Sequence, residues 1–337
     1  MNQHEIIKPT SVHQEDGTLA DAGFARHPHW KYDHSHLPAA RLRMKEWDYY
    51  LINTGQIAVA FTLSDLGYLR MASVSFLNLE KGLDATQTEL LPPTKDFFMP
   101  TQSQNGHIRF ENKNMILDYE FSLQSRKVYC EVKNLAGHGP FKADLHFTNL
   151  PEESMNILTP WPDRKHFYLN EKCNCMPAEG KVVFNYKIYR FHQDEHCGVL
   201  DWGRGYWPYK SHWYWGTASA IVDGELFGFN LGYGFGDLSA ASENVLFYQG
   251  RVHKLDQIRF YIPENPMDKW MITSNDRRFE GVFTPVLDRA ADIDLKVIRS
   301  DQHQYFGFVD GTAVLDDGSH ILMRDLPAAF EDIHNKY

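Results

Sequence analysis

The sequence predicts an all-β fold of two barrel or sandwich domains packed together, with few helices. Apolar and polar residues alternate with period two along most of the chain, which sends one set of side chains inward and the other outward. Aromatic residues make up 14% of it, with 8 Trp, 17 Tyr and 22 Phe, a load that suits pleated, half-buried surfaces. At 337 residues the chain is about twice as long as one small barrel needs.

The elements follow in order. Residues 1–40 are polar, His-rich and punctuated by Pro9, Pro28 and Pro38; they read as an arm, of which 1–38 is expected to pack over the body and to be removable with the β fold intact. The body opens at Lys45-Glu46-Trp47-Asp48, an expected edge strand with solvated charges and one inward ring, Trp47. The best apolar run, 57–61, is only strand-length. Met115, Leu117, Tyr119, Phe121 and Leu123 alternate with Ile116, Asp118, Glu120 and Ser122, and Val128, Cys130 and Val132 continue the pattern. It returns at Ile258, Phe260 and Ile262, then at Ile293, Leu295 and Val297. Turn signals lie between the runs: Glu111-Asn112-Lys113-Asn114, Asp223-Gly224, Asp310-Gly311 and Asp316-Asp317-Gly318. A seam is expected within 173–198, giving an arm (1–40), a first β domain (41–185) and a second (186–337). A short helix is expected over 328–335 to close the second domain, and a helical turn near 152–156.

Composition removes several classes. Acidic residues outnumber basic ones, 44 to 34, for a net charge of −10. Without a basic run this argues against nucleic acid as a partner, because clustered Lys and Arg carry phosphate binding. No apolar stretch reaches the ~18 residues of a membrane span, and the N-terminus lacks a secretory leader. Four cysteines in so long a chain do not suggest a disulfide framework, so a cytoplasmic protein is expected. There is no Gly-x-Ser-x-Gly elbow, phosphate loop or dinucleotide fingerprint, and no cofactor is expected. Asp276-Arg277-Arg278 and Asp288-Arg289 read as surface or interstrand ion pairs.

Chemistry concentrates in residues 201–216. Four Trp, three Tyr, and Asp201, Arg204, Lys210 and His212 fall there, in a glycine-bent loop and the strand leaving it. On that strand Trp213 and Trp215 share one face, His212 and Tyr214 the other. Apolar walls with a few polar groups are how ligand pockets are lined. A Trp-rich core corner holding an Asp201–Arg204 pair accounts for the same residues. A second segment, 228–237, has Gly232, Gly234 and Gly236 for close backbone approach, then a polar rim of Asn230, Asp237, Glu243 and Asn244; a tight turn is the plainer alternative. The arm's His27, His29, Asp33, His34 and His36 could hold a metal, as could Cys173 and Cys175 with His166, but flexible arm and apolar packing are the favoured readings.

These segments also carry a resemblance. Trp202-Gly203, Trp207-Pro208 and Trp213-x-Trp215 resemble the Trp-rich signature of tocopherol cyclases, with longer gaps here. Over nearly the whole chain the sequence resembles the family called domain of unknown function 2804. The residues concerned include Lys45-Glu46-Trp47-Asp48-Tyr49-Tyr50, Asp65-Leu66-Gly67-Tyr68, Met176-Pro177-Ala178 with Gly180, and Asp201-Trp202-Gly203-Arg204-Gly205. The match continues through Asn230-Leu231-Gly232 with Gly234-Phe235-Gly236-Asp237, Glu243-Asn244 and His253-Lys254-Leu255. It ends at Phe306-Gly307-Phe308-Val309-Asp310-Gly311. That family has no agreed activity; through the Trp-rich signature it resembles the AttH-like and carotenoid-hydratase proteins. This implies two lipocalin-like β units and, where there is chemistry, an isoprenoid or lipid-like substrate.

The expected function is therefore binding of a small apolar molecule, lipid or isoprenoid, in a Trp/Tyr-lined cavity, with acid–base chemistry such as cyclisation, hydration or isomerisation. Asp201 would be the acid, needing a raised pKa, and Arg204 beside it opposes that. Trp202, Trp213 and Trp215 would face a carbocation, and His212 or Tyr206 would orient water or recover the proton. If Asp201 and Arg204 pair, His212 with Tyr214 or Asp237 is the better acid–base set. Trp207, Arg204, Asn230, Asp237, Glu243 and Asn244 complete the expected lining. A non-catalytic lipid carrier and a carbohydrate-binding or carbohydrate-active protein are the alternatives.

Overall fold

The computed structural model describes residues 3–37, 41–93, 99–294 and 299–336. Two curled sheets of 13 and 9 strands make up the body, and no α-helix occurs among the described residues. In the first sheet the central order runs Leu83–Leu91, Arg70–Asn78, Ile57–Asp65, Met44–Asn53, Cys197–Tyr206, Phe167–Phe184, Phe141–Phe147, Arg126–Val132, Met115–Phe121 and Gly106–Glu111. The second runs Arg251–Lys254, Val245–Tyr248, Glu225–Tyr233, Lys210–Val222, His320–Lys336, Arg299–Val314, Phe279–Asp294, Trp270–Ser274 and Ile258–Tyr261. All these neighbours are antiparallel. Each sheet wraps a core of its own, and a third apolar cluster lies where the sheets meet.

The alternating runs become strands: Leu117, Tyr119 and Phe121 point inward from Met115–Phe121, while Glu120 is exposed; Leu123 falls in the bend beyond the strand and is exposed. Leu295 and Val297 lie outside the described residues. Three expectations are corrected. Residues 328–335 form the end of the 17-residue strand His320–Lys336, not a helix; its ladders to Lys210–Val222 and Arg299–Val314 override local propensity. Residues 155 and 156 likewise begin the strand Met155–Pro160. Lys45, Glu46 and Asp48 sit on a central strand and are buried, paired on both sides by Ile57–Asp65 and Cys197–Tyr206. The chain passes from the first sheet to the second between Tyr206 and Lys210, Cys197–Tyr206 being its last strand in the first.

Residues 3–37 lie along the body. Gly23–Ala25 adds a short strand to Met155–Pro160, and Val12, Phe24, Trp30 and Tyr32 are buried. One irregularity ties the sheets together. The Phe167–Phe184 strand shifts register between Cys173 and Met176, and Cys175 takes a φ of +61°. There the Asn174 amide reaches into the second sheet, donating to Thr217 Oγ1 at 2.8 Å, Ala218 O at 3.0 Å and Phe229 O at 3.0 Å. The Ser219 hydroxyl accepts from the Cys175 amide at 3.0 Å. All four cysteines are free and buried.

Candidate functional site between the sheets

Alternation along Cys197–Tyr206 decides what reaches the seam. Asp201 and Gly203 face the second sheet, whereas Trp202 and Arg204 face the core of the first. Gly203 is needed because the Trp47 ring occupies the space beside it: a Cβ would stand 2.1 Å from Trp47 Cζ2. On Lys210–Val222, Trp213 and Trp215 join the seam and Tyr214 packs on the second core, as the spacing predicts.

A polar island sits within this aromatic seam. Asp201 Oδ1 accepts from Asn170 Nδ2 at 2.6 Å and Trp47 Nε1 at 3.1 Å, and Lys172 Nζ lies 2.6 Å from Asp201 Oδ2. The same ammonium is 4.7 Å from the Trp215 ring centroid. Trp215 Nε1 donates to Asn230 Oδ1 at 2.7 Å, and Asn230 Nδ2 donates to Glu243 Oε1 at 3.2 Å. Tyr168 donates to Glu243 Oε2 at 3.1 Å. Glu331 accepts from Gln304 Nε2 at 2.7 Å and Trp213 Nε1 at 3.4 Å.

Three carboxyls thus surround one ammonium in a place with little water, where like charges cannot all ionise cheaply. Burial pushes the Glu331 carboxyl up to about 7; Asp201 adds to the rise, while Arg289 and Lys172 oppose it. Burial also raises Glu243, with Asp201 adding and Lys172 opposing. Burial pushes the Tyr49 phenol up to about 12.

Rings enclose the island. Trp161 and Trp207 centroids lie 5.1 Å apart, Trp207 and Trp213 5.3 Å, Trp213 and Phe235 5.8 Å, and Phe235 stacks on Tyr168 at 4.8 Å. Trp47, Trp161 and Trp213 are only partly buried, so this wall reaches the surface. Two polar atoms in it, Trp207 Nε1 and Asn170 Oδ1, are buried without a hydrogen-bond partner.

Of the sequence-predicted residues, the seam collects Asp201, Trp207, Trp213, Trp215, Asn230 and Glu243. The others lie apart. Arg204 is fully buried on Asp48 at 2.9 Å and over the Trp202 ring at 4.1 Å. The expected Asp201–Arg204 pair does not form, because residues three apart on a strand point to opposite faces. Half-buried Tyr206 stacks on His166 at 5.0 Å. His212 meets Asp332 at 2.9 Å, not Asp237. Exposed Asp237 accepts from the Ser239 amide at 2.9 Å. Asn244 is buried just ahead of the strand Val245–Tyr248, accepting from Gly232 N at 2.7 Å and donating to Asp256 O at 2.9 Å. In the arm, His34 Nε2 lies 2.8 Å from Glu46 Oε1 and His36 stacks on His13.

Sequence reasoning missed Lys172, Tyr168, Trp161 and Glu331. Glu331 was open to discovery: with period two, Ala329 and Glu331 share the inward face, which puts a carboxylate where an apolar residue belongs. Reading the segment as a helix hides this. Lys172 gives no such signal, since Asp201 is its partner only through the fold.

A family model described as a domain of unknown function (DUF2804) matches residues 3–337. Among solved structures, an AttH-like protein from Nitrosomonas europaea is similar with a TM-score of 0.51 and 11% identity, over 92% of this chain and 98% of that one. CghA follows, with a TM-score of 0.49 and 9% identity over 86% and 87% of the two chains. Kievitone hydratase from Nectria haematococca gives 0.44 and 12% identity over 89% and 90%. No curated sequence matches the chain. At these identities the likeness is one of fold. No helix among the described residues is long and apolar enough to cross a membrane.

Proposed function

Taking as premise that the chain belongs to the DUF2804 family, we propose that it binds a small apolar, lipid- or isoprenoid-like molecule between its two sheets and performs acid–base chemistry on it. One observation carries this reading: Glu331, a buried carboxyl pushed up to about 7, stands among indole rings. A carboxyl that holds a proton near neutrality inside an apolar wall is equipped to protonate an alkene or enol. The proton would leave Glu331 for a substrate carbon, and the cation formed would lie against the π faces of Trp213 and Trp215. Addition of water or ring closure would then return a proton to the Glu331 carboxylate. Asp201 would hold Lys172 in place and keep negative potential on the cationic intermediate. The loose resemblance of 202–215 to a cyclase signature supports the same class.

The test is incubation of the intact protein with a lipid extract, followed by native mass spectrometry and product analysis in heavy water. The expected result is a bound lipid and a product carrying carbon-bound deuterium. Glu331→Gln should still bind the lipid and yield no product. A lipid recovered unchanged from both forms would leave a carrier, and a bound glycan in place of a lipid would overturn the reading.

A further inference from the structure

We propose that His212, Asp332 and His334 form a three-ligand site for a divalent metal of the zinc class, on the far side of the second sheet from the seam, with an open position that takes an anionic oxygen ligand.

Backbone register builds the site. His212 and His334 are directly opposite partners on adjacent antiparallel strands, and Asp332 precedes His334 by two on the same face. Phe330, two residues earlier, belongs to the second core. Asp332 follows on that face, and beyond it His334 reaches a cleft of ≈ 550 Å³, which it helps to line with His212. His212 Nε2 and His334 Nε2 lie 2.9 and 3.1 Å from the same oxygen, Asp332 Oδ1. All three donor atoms fall within 4.8 Å of one another. Zinc bonds of ~2.0–2.1 Å in a tetrahedron separate neighbouring donors by ~3.3 Å, close to the distance from each Nε2 to Asp332 Oδ1; on binding, the two rings, stacked at 3.7 Å, would splay so that both lone pairs meet at the ion.

A second observation concerns the open position. Lys210, Lys336 and Arg299 are cross-strand partners in one row, next but one to the histidine row and therefore on the same face. All three line the same cleft. Like charges directly opposite one another cost a sheet stability; Arg299 pairs at 3.8 Å with Asp301, which also lines the cleft, and at 3.9 Å with Asp292, while Lys210 and Lys336 pair with no carboxylate among the described residues. An anion bound to the metal would lie over this row and offset the cost. Three protein ligands plus one exchangeable position is the arrangement of reactive zinc centres, not of closed structural ones.

The experiment uses the whole chain, Co²⁺ as a spectroscopic probe and inorganic phosphate as the anion. The expected result is one Co²⁺ per chain with visible bands of a four-coordinate ion, displaced by Zn²⁺ and shifted by phosphate. His334→Ala and His212→Ala, checked for unchanged melting, should each weaken Co²⁺ at least as much as the ~10–100-fold lost when an outer-layer partner is removed. Lys210→Ala with Arg299→Ala should keep the metal and lose the phosphate response. Glu331→Gln should leave all of this unchanged, which separates the site from the one between the sheets. Co²⁺ binding that survives His334→Ala, or the absence of stoichiometric binding, would overturn the metal site. A phosphate shift that survives loss of the two cations would overturn the anion assignment.

Discussion

Glu331 links chemistry to stability. Its carboxyl is raised from an ordinary 4.5 to about 7, so the folded state holds a proton that the unfolded chain releases. Stability contributed this way is full below the unfolded value and lost as pH climbs through about 7, by about 3 kcal/mol in all. Glu331→Gln should therefore raise the melting temperature at pH 8 and change little at pH 4, read by thermal melts across pH. Lys172→Met tests the opposite sign: it strands the buried Asp201 carboxylate and should cost about 3–5 kcal/mol in denaturant unfolding. Trp213, Trp215 and Asp201 were legible because density of aromatic and charged residues marks a segment. Their partners were not, because Lys172 and Glu331 reach Asp201 across strands that only the fold brings together.

At the scale of elements, glycine and one strand irregularity set the geometry. Gly203→Ala would drive a methyl into the Trp47 ring; the expected cost is about 1–3 kcal/mol, with a change in tryptophan emission as the ring is displaced. Asn174→Ala removes three hydrogen bonds to the second sheet and should cost about 3 kcal/mol, with the sheets unfolding less cooperatively by calorimetry. Period-two alternation made most strands readable in advance. It failed at 328–335, where Ala-Ala-Phe-Glu-Asp has the composition of a helix and only the ladders on both sides make it a strand. It failed too at 45–48, where charges suggested an edge; those charges are buried because Asp48 meets Arg204 and Glu46 meets Tyr32 and His34.

For the whole molecule, the all-β class was readable from alternation and aromatic load, while the way the two sheets meet was not. The arm is bound to both: Gly23–Ala25 extends the first sheet, and the His4 amide donates to Ala240 O in the second half of the chain. Removing residues 3–37 should leave the far-ultraviolet β signal in place while lowering the melting temperature, because Phe24, Trp30 and Tyr32 leave buried sites. A truncated chain without cooperative unfolding would show that the arm belongs to the core. The strand His320–Lys336 has a further consequence. Glu331 and Asp332 are neighbours in sequence yet serve opposite faces of one sheet, so the same few residues write two separate surfaces. Evolution can edit either surface by substitution without disturbing the other. It cannot lengthen or shorten the strand by one residue ahead of Glu331 without exchanging both, so related chains should keep the spacing of this strand fixed.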